Sequence, residues 1–188
     1  MFIAFMSLVI IASAPLLGGR LALLAAIRLK HTALIIAALF VQVLITEVIP
    51  RAPRPLDVGL HLATYVAAGF ALWANRRLPG LLVIAAGALS NGAVIALNGG
   101  TLPASKAALL RAGYSLSESK FKNSGVLPHP VLPWLGDVFT TPAWLPFRNV
   151  LSVGDVVILV GTAVLVHTVS RSWLARRPFA RRAPSPAG

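Results

Sequence analysis

The chain contains no cysteine. That excludes disulfides, thiolate metal sites, cysteine nucleophiles and thiol redox chemistry together. Charge is also scarce. Only 12% of the 188 residues are Asp, Glu, Lys or Arg, and only 5 are acidic, whereas soluble domains carry about 25% charged residues. Groups for general acid–base work are therefore few. No His-Glu-x-x-His spacing, Walker or Rossmann glycine pattern, or Gly-x-Ser-x-Gly elbow occurs. Symmetric halves of the kind that build many transporters are missing too. Haem would need two axial histidines at one membrane depth, and among His31, His61, His129 and His167 no pair fits that condition. No cofactor and no metal site are expected.

What the chain does have is apolar surface. It is 57% hydrophobic, with a mean hydropathy of +0.81. A water-soluble fold of this size could not hide so much apolar area, and disordered chains are poor in it. The net charge of +12 and pI near 11.8 would ordinarily point to nucleic acid. Here the bases lie between long apolar runs, so no nucleic-acid partner is expected. The sequence predicts an integral membrane protein, all-α, with five transmembrane helices.

A membrane-crossing helix needs about 20 mostly apolar residues. Five stretches qualify: 2–18, 32–49, 56–74, 78–97 and 150–170. The first contains Ala12-Ser13-Ala14, similar to a signal-peptidase site, but it lacks a basic leader and Pro15 follows; it is read as an uncleaved span. Residues 20–31, broken by Arg20, Arg28 and Lys30, are too charged to cross and are expected at the interface. Residues 1–175 form one transmembrane domain. Residues 98–149 form a long, partly ordered extracytoplasmic loop between the fourth and fifth helices. Residues 176–188 form a basic cytoplasmic tail expected to be disordered.

Orientation follows from charge. One side holds Arg20, Arg28, Lys30, Arg76, Arg77, Arg171, Arg176, Arg177, Arg181 and Arg182, and no acid. All five acids, Glu47, Asp57, Glu118, Asp137 and Asp155, fall on the other side or at its helix ends. Positive charge stays inside, so the N-terminus is expected outside and the C-terminus in the cytoplasm. The expected partners are the bilayer itself and anionic inner-leaflet lipids, reached through the basic tail.

Any chemistry is then sought at the outer face. Asp57 and His61 share a helix face at i, i+4, with Thr64 and Tyr65 one turn deeper. Glu47 stands beside Gln42 and Thr46. Asn91 lies below Asn98, and Asp137 and Asp155 flank the end of the loop. Intramembrane polar residues are functional candidates. Glu47, Asp57, His61, Asn91, Asn98, Asp137 and Asp155 thus form a candidate polar cluster. Each also has a structural reading. Ser152-Val153-Gly154-Asp155 matches a capping box, Asp57 suits a helix start, and Asn91 can bond a neighbouring helix. In the loop, Ser105 is placed to cap a short helix to Arg111, with Gly113 past its end.

Three ordered segments carry a resemblance. They are Leu97-Asn98-Gly99-Gly100-Thr101-Leu102-Pro103, Trp134-Leu135-Gly136-Asp137, and Pro146-Phe147-Arg148-Asn149-Val150-Leu151-Ser152-Val153-Gly154-Asp155. With Gly18-Gly19-Arg20 and the basic leucine-rich linker after it, the chain over roughly residues 1–170 resembles a family of small bacterial membrane proteins known only as a domain of unknown function. The resemblance implies a bacterial inner-membrane protein and implies no reaction.

Three functions are compatible with these features. The first is a non-catalytic membrane module, either a subunit working with a membrane-protein partner or a lipid-binding accessory. The second is a carrier for a small molecule or cation through an outward-facing polar cavity. The third is an enzyme acting on a lipid head group, with Asp57 and His61 as acid–base pair.

Overall fold

The computed structural model describes residues 2–45, 54–114, 124–142, 145 and 148–175, with only the backbone of 54, 57, 58 and 61. The chain is mostly helical. In order, the helices are α1 (Phe2–Leu16), α2 (Leu21–Ala25), α3 (Thr32–Val43), α4 (Arg54–Ala74), α5 (Leu81–Leu97), α6 (Lys106–Arg111) and α7 (Val153–Ser170). The five longer ones correspond to the five expected spans. Among the described residues, only α7 is both long and apolar enough to cross a membrane unaided; the apolar stretches of the others are shorter. The expected tail 176–188 lies outside the described residues.

The helix ends have local causes. α1 stops before Gly18, whose φ of 71° is left-handed. Gly19 then packs so closely that an added Cβ would lie 2.6 Å from Ser170 Oγ. Arg20 N donates to Ser170 O (2.8 Å), and Trp173 N donates to Leu17 O (2.9 Å). The Gly-Gly-Arg element therefore ties the end of α1 to the end of α7. α5 starts only at Leu81, because Leu78-Pro79-Gly80 makes a turn with Gly80 at φ 83°.

α5 and α7 form the central antiparallel pair. Gly87 faces Gly154 and Gly80 faces Gly161, so a seven-residue glycine spacing repeats on both helices in opposite directions. A Cβ on Gly87 would meet Gly154 O at 2.5 Å, and one on Gly161 would meet Ile84 N at 2.7 Å. Small residues at such a seam let two backbones approach without a side chain between them. α1 packs on α7, while α3 and α4 pack together and reach α5 through α4.

The segment between α5 and α7 departs from the all-α expectation. β1 (Leu102–Pro103) runs parallel to β2 (Ser124–Gly125), and β3 (Asp137–Thr140) runs antiparallel to β4 (Val150–Ser152), with Asp137 opposite Ser152. A bridge from Ala104 to Asp137 joins the two sheets. The start of the expected fifth span, 150–152, is therefore strand. Strands this short carry no periodicity that a sequence can show. α6 is as expected: Ser105 Oγ caps it by accepting from Ala108 N, and Gly113 follows at φ 79°. Its apolar face, Ala108, Leu109 and Ala112, makes a small core with Ala104 and Val150. A second core, Val94, Ile95 and Leu102, fastens the loop to the end of α5.

Candidate functional site

The end of the bundle that carries the loop holds most of the expected polar residues. Ser152 is the N-cap of α7, and Asp155 completes a reciprocal capping box: Asp155 N donates to Ser152 Oγ, and Ser152 N donates to Asp155 Oδ2, both at 3.0 Å. This box is the one expected from Ser-x-x-Asp. Asn91 of α5 joins it from across the glycine seam. Its Nδ2 donates to Asp155 Oδ1, and its Oδ1 accepts from Ser152 Oγ, both at 2.9 Å. Asn91 and Ser152 are 6% and 0% exposed, so these bonds are made away from solvent.

Asp137 stands beside this group, at the junction of the two sheets. Its carboxylate accepts a hydrogen bond from Ser124 Oγ, and its carbonyl accepts from Ser105 N at 2.9 Å. Burial pushes its carboxyl up to about 6 from the ordinary 3.8; the Ser124 bond opposes this, and the nearby Asp155 charge adds to it. Asn98 is separate. Its side chain caps α5 at Val94 O (2.8 Å) and clamps Val131 from both directions, by Nδ2 to Val131 O (2.9 Å) and from Val131 N to Oδ1 (2.8 Å).

Thus the structure brings Asn91, Asp155 and Asp137 together and places Asn98 in a loop clamp. Asp57 and His61 lie one turn apart on the α4 backbone, as the i, i+4 spacing requires, and their side chains lie outside the described residues. Glu47 lies outside them entirely. Among the described residues, no buried side-chain nitrogen or oxygen lacks a hydrogen-bond partner. The polar groups here are consumed in holding α5, α7 and the loop together.

Asp137 makes this end sensitive to pH. Between 3.8 and about 6 the folded protein keeps a proton that the unfolded chain releases. Stability should therefore fall as pH rises through that window, with the full cost present above it. Asp137→Asn can still accept from Ser124 and carries no charge. It is expected to flatten the slope and to gain roughly 2–3 kcal/mol at pH 7 over wild type. Denaturant unfolding of both proteins at pH 4 and pH 7 measures this, and equal stability differences at the two pH values would refute it.

A second feature was not visible in the sequence. A cavity of about 600 Å³ lies between α2, α3, α4, α5 and α7. Its wall is almost wholly apolar: Ala38 and Leu39 of α3, Ala68 and Leu72 of α4, Leu81 of α5 and Leu165 of α7. Polar atoms enter at two levels. Deep in the bundle, Thr64 Oγ1 donates to Gln42 Oε1 (2.8 Å), and Tyr65 packs against Gly92. At the opposite end, buried Asn75 takes Lys30 N (2.8 Å) and gives to Lys30 O (3.0 Å). Leu39 and Leu29, both lining residues, are 62% and 41% exposed, so the cavity opens sideways past α3 and the α2–α3 linker. Its small residues, Ala38 and Ala68, were the available signal, but alanine is common in every apolar run of this chain. On the α1 side of α7, buried His167 links Ser13 of α1 (3.4 Å) to Ser172 (2.9 Å).

The model for a family of unknown function, DUF5317, matches residues 26–167. That range takes in the Asn-Gly-Gly, Leu-Gly-Asp and Ser-Val-Gly-Asp segments and leaves out Gly18-Gly19-Arg20. An uncharacterized protein of Thermotoga maritima is 31% identical over 97 residues, which are 50% of this chain and 54% of that protein. The match thus spans about half the length of each. No solved structure matches the chain. The residues from the α2–α3 linker to the last turn of α7, including the cavity wall apart from Leu24 and the Asn91–Ser152–Asp155 group, place the chain in the DUF5317 family of unknown function.

Proposed function

We propose that the chain is a five-span protein of the bacterial inner membrane that holds a lipid chain among its helices and performs no reaction of its own. The membrane reading is supported by the faces the helices leave uncovered. α7 exposes Val156, Val160 and Val164 in one stripe, and α3 exposes Ile36, Leu39, Phe40 and Val43. Contiguous apolar surface of this kind is rare on soluble monomers. The five long helices alternate in direction, so Arg20, Arg28, Lys30, Arg76, Arg77 and Arg171 fall at one end with no described acid, while Lys106, Arg111 and Arg148 share the other with Asp137 and Asp155. The positive-inside rule then sets the N-terminus outside and the C-terminus in the cytoplasm.

The observation that carries the function is the cavity. Its volume falls within the about 300–1,000 Å³ usual for ligand sites, and its lining suits a hydrocarbon chain. The polar residues of the loop end favour a framework over a catalytic or transport role, because those described are bonded to one another or to the backbone.

Two measurements test this. The absence of cysteine makes Lys106→Cys and Arg77→Cys single reporters. An impermeant maleimide on intact cells is expected to label the first only, and labelling of the second would reverse the orientation. Native mass spectrometry of the purified protein is expected to show bound lipid that is lost in Ala38→Phe and Ala68→Phe, whose rings fill the cavity. Undiminished lipid in both filled variants would overturn the chain-binding reading.

A further inference from the structure

The cavity has a charged mouth. At its Asn75 end the lining residues interleave with exposed bases: Arg28 lies between Ile27 and Leu29, Lys30 follows, and Arg76-Arg77 sits between Asn75 and Leu78. These two basic segments are 45 residues apart in sequence, and the two-way Asn75–Lys30 clamp sets them side by side. Among the described residues no acid shares this end: Asp137 and Asp155 stand at the loop end, as does the backbone of Asp57. Four positive charges therefore flank an apolar cavity with no counter-charge among the described residues at that end.

The rim is also arranged for a membrane interface. Arg76 Nη1 donates to Trp73 O (3.1 Å), and its guanidinium lies 4.5 Å from the centre of the Trp73 ring, which is itself exposed. The His31 ring rests against Phe70, with centroids 5.1 Å apart. Tryptophan favours head-group depth, and stacking on an indole holds an arginine with its remaining donors outward.

We propose that the bound lipid is anionic and comes from the cytoplasmic leaflet, its phosphate held by Arg28, Lys30, Arg76 and Arg77 while one acyl chain occupies the cavity up to the Gln42–Thr64 bond. This rests on the reading of the cavity as a chain-binding site and adds the head group. Charge complementarity selects the occupant. A neutral lipid would leave the four bases unmatched, and a second copy of this chain would bring the same positive rim against its like. Arginine donors pair with phosphate oxygens in forked geometry, and the leaflet itself concentrates anionic lipid there.

The test is competition between phosphatidylglycerol and phosphatidylcholine of identical acyl chains, read by native mass spectrometry on the full chain. Wild type is expected to retain phosphatidylglycerol about tenfold or more over phosphatidylcholine, since each base near an anionic surface contributes on the order of one tenfold step or slightly less. The quadruple variant Arg28→Gln, Lys30→Gln, Arg76→Gln, Arg77→Gln is expected to bind both lipids equally. Arg176→Gln, Arg177→Gln, Arg181→Gln, Arg182→Gln should keep the preference, which separates the mouth from the tail. Equal retention by wild type, or loss of preference only in the tail variant, overturns the head-group assignment while the Ala68→Phe result still stands on its own. A lipid-free dimer would overturn both.

Discussion

Gly87→Ala and Gly154→Ala should each destabilise the folded protein by about 3 kcal/mol, at the upper end of what overpacking costs. For a chain of this size that corresponds to roughly 6–12 °C in melting temperature. The added methyl at Gly87 would stand 2.5 Å from the Gly154 carbonyl oxygen and 3.0 Å from Ile158 N, and the one at Gly154 would collide with Asn91 Oδ1 and stand 2.6 Å from Gly87 O. Gly154 O, Ile158 N and Gly87 O are backbone atoms. They cannot rotate aside, so α5 and α7 must separate, which also opens the seam at Gly80 and Gly161. Gly69 is the internal control. Nothing lies within 4 Å of a Cβ there, so Gly69→Ala in mid-helix should be neutral or gain up to about 1 kcal/mol from helix propensity. Thermal unfolding in detergent compares the three. If Gly87→Ala melts with wild type, the two helices do not meet on these glycines.

The glycine seam also shows what a single sequence discloses. The spacing Gly80–Gly87 and Gly154–Gly161 is legible, and its complementarity could have been used to pair the fourth and fifth long helices. The capping box at Ser152 and Asp155 and the Ser105 cap of α6 were legible for a related reason: each is a contact over three residues, set by local backbone geometry. The partner that closes the box was not. Asn91 is 61 residues from Ser152, and an asparagine in an apolar run signals a bond without naming the acceptor. The cavity was less legible still. It results from small side chains on α3 and α4 facing a gap that the α2–α3 linker leaves open, and hydrophobic periodicity marks which face is buried without recording whether that face is filled. The two small sheets were hidden by their length, since two to four residues give no period. Asn75 follows the apolar run 56–74, and its clamp on Lys30 depends on where the linker returns, which no local pattern shows.

Asn91→Leu should cost about 4 kcal/mol, the largest effect expected from a polar substitution in this chain. One side chain serves both halves of the capping box, so its removal leaves the Ser152 hydroxyl without its acceptor and Asp155 Oδ1 without its Asn91 donor. Orphaning a buried neutral group costs about 1–3 kcal/mol, and a charged one costs more. The leucine cannot offset this by packing, because Asn91 Oδ1 occupies the space above Gly154 and a branched carbon there would press on the helix start. The origin of the cost can be isolated. If it lies in orphaned partners, the double variant Asn91→Ala, Ser152→Ala should cost less than the sum of the two single changes, by about 0.5–3 kcal/mol, as expected for residues in one network. Additive losses would mean that the bond between them contributes nothing. The same measurement separates a framework from a site. Residues held for function are commonly held at the expense of stability, so a cluster shaped for a ligand would yield Asn91 variants as stable as wild type or more so. A cluster that fastens α5 to the start of α7 must lose stability when Asn91 or Ser152 is removed.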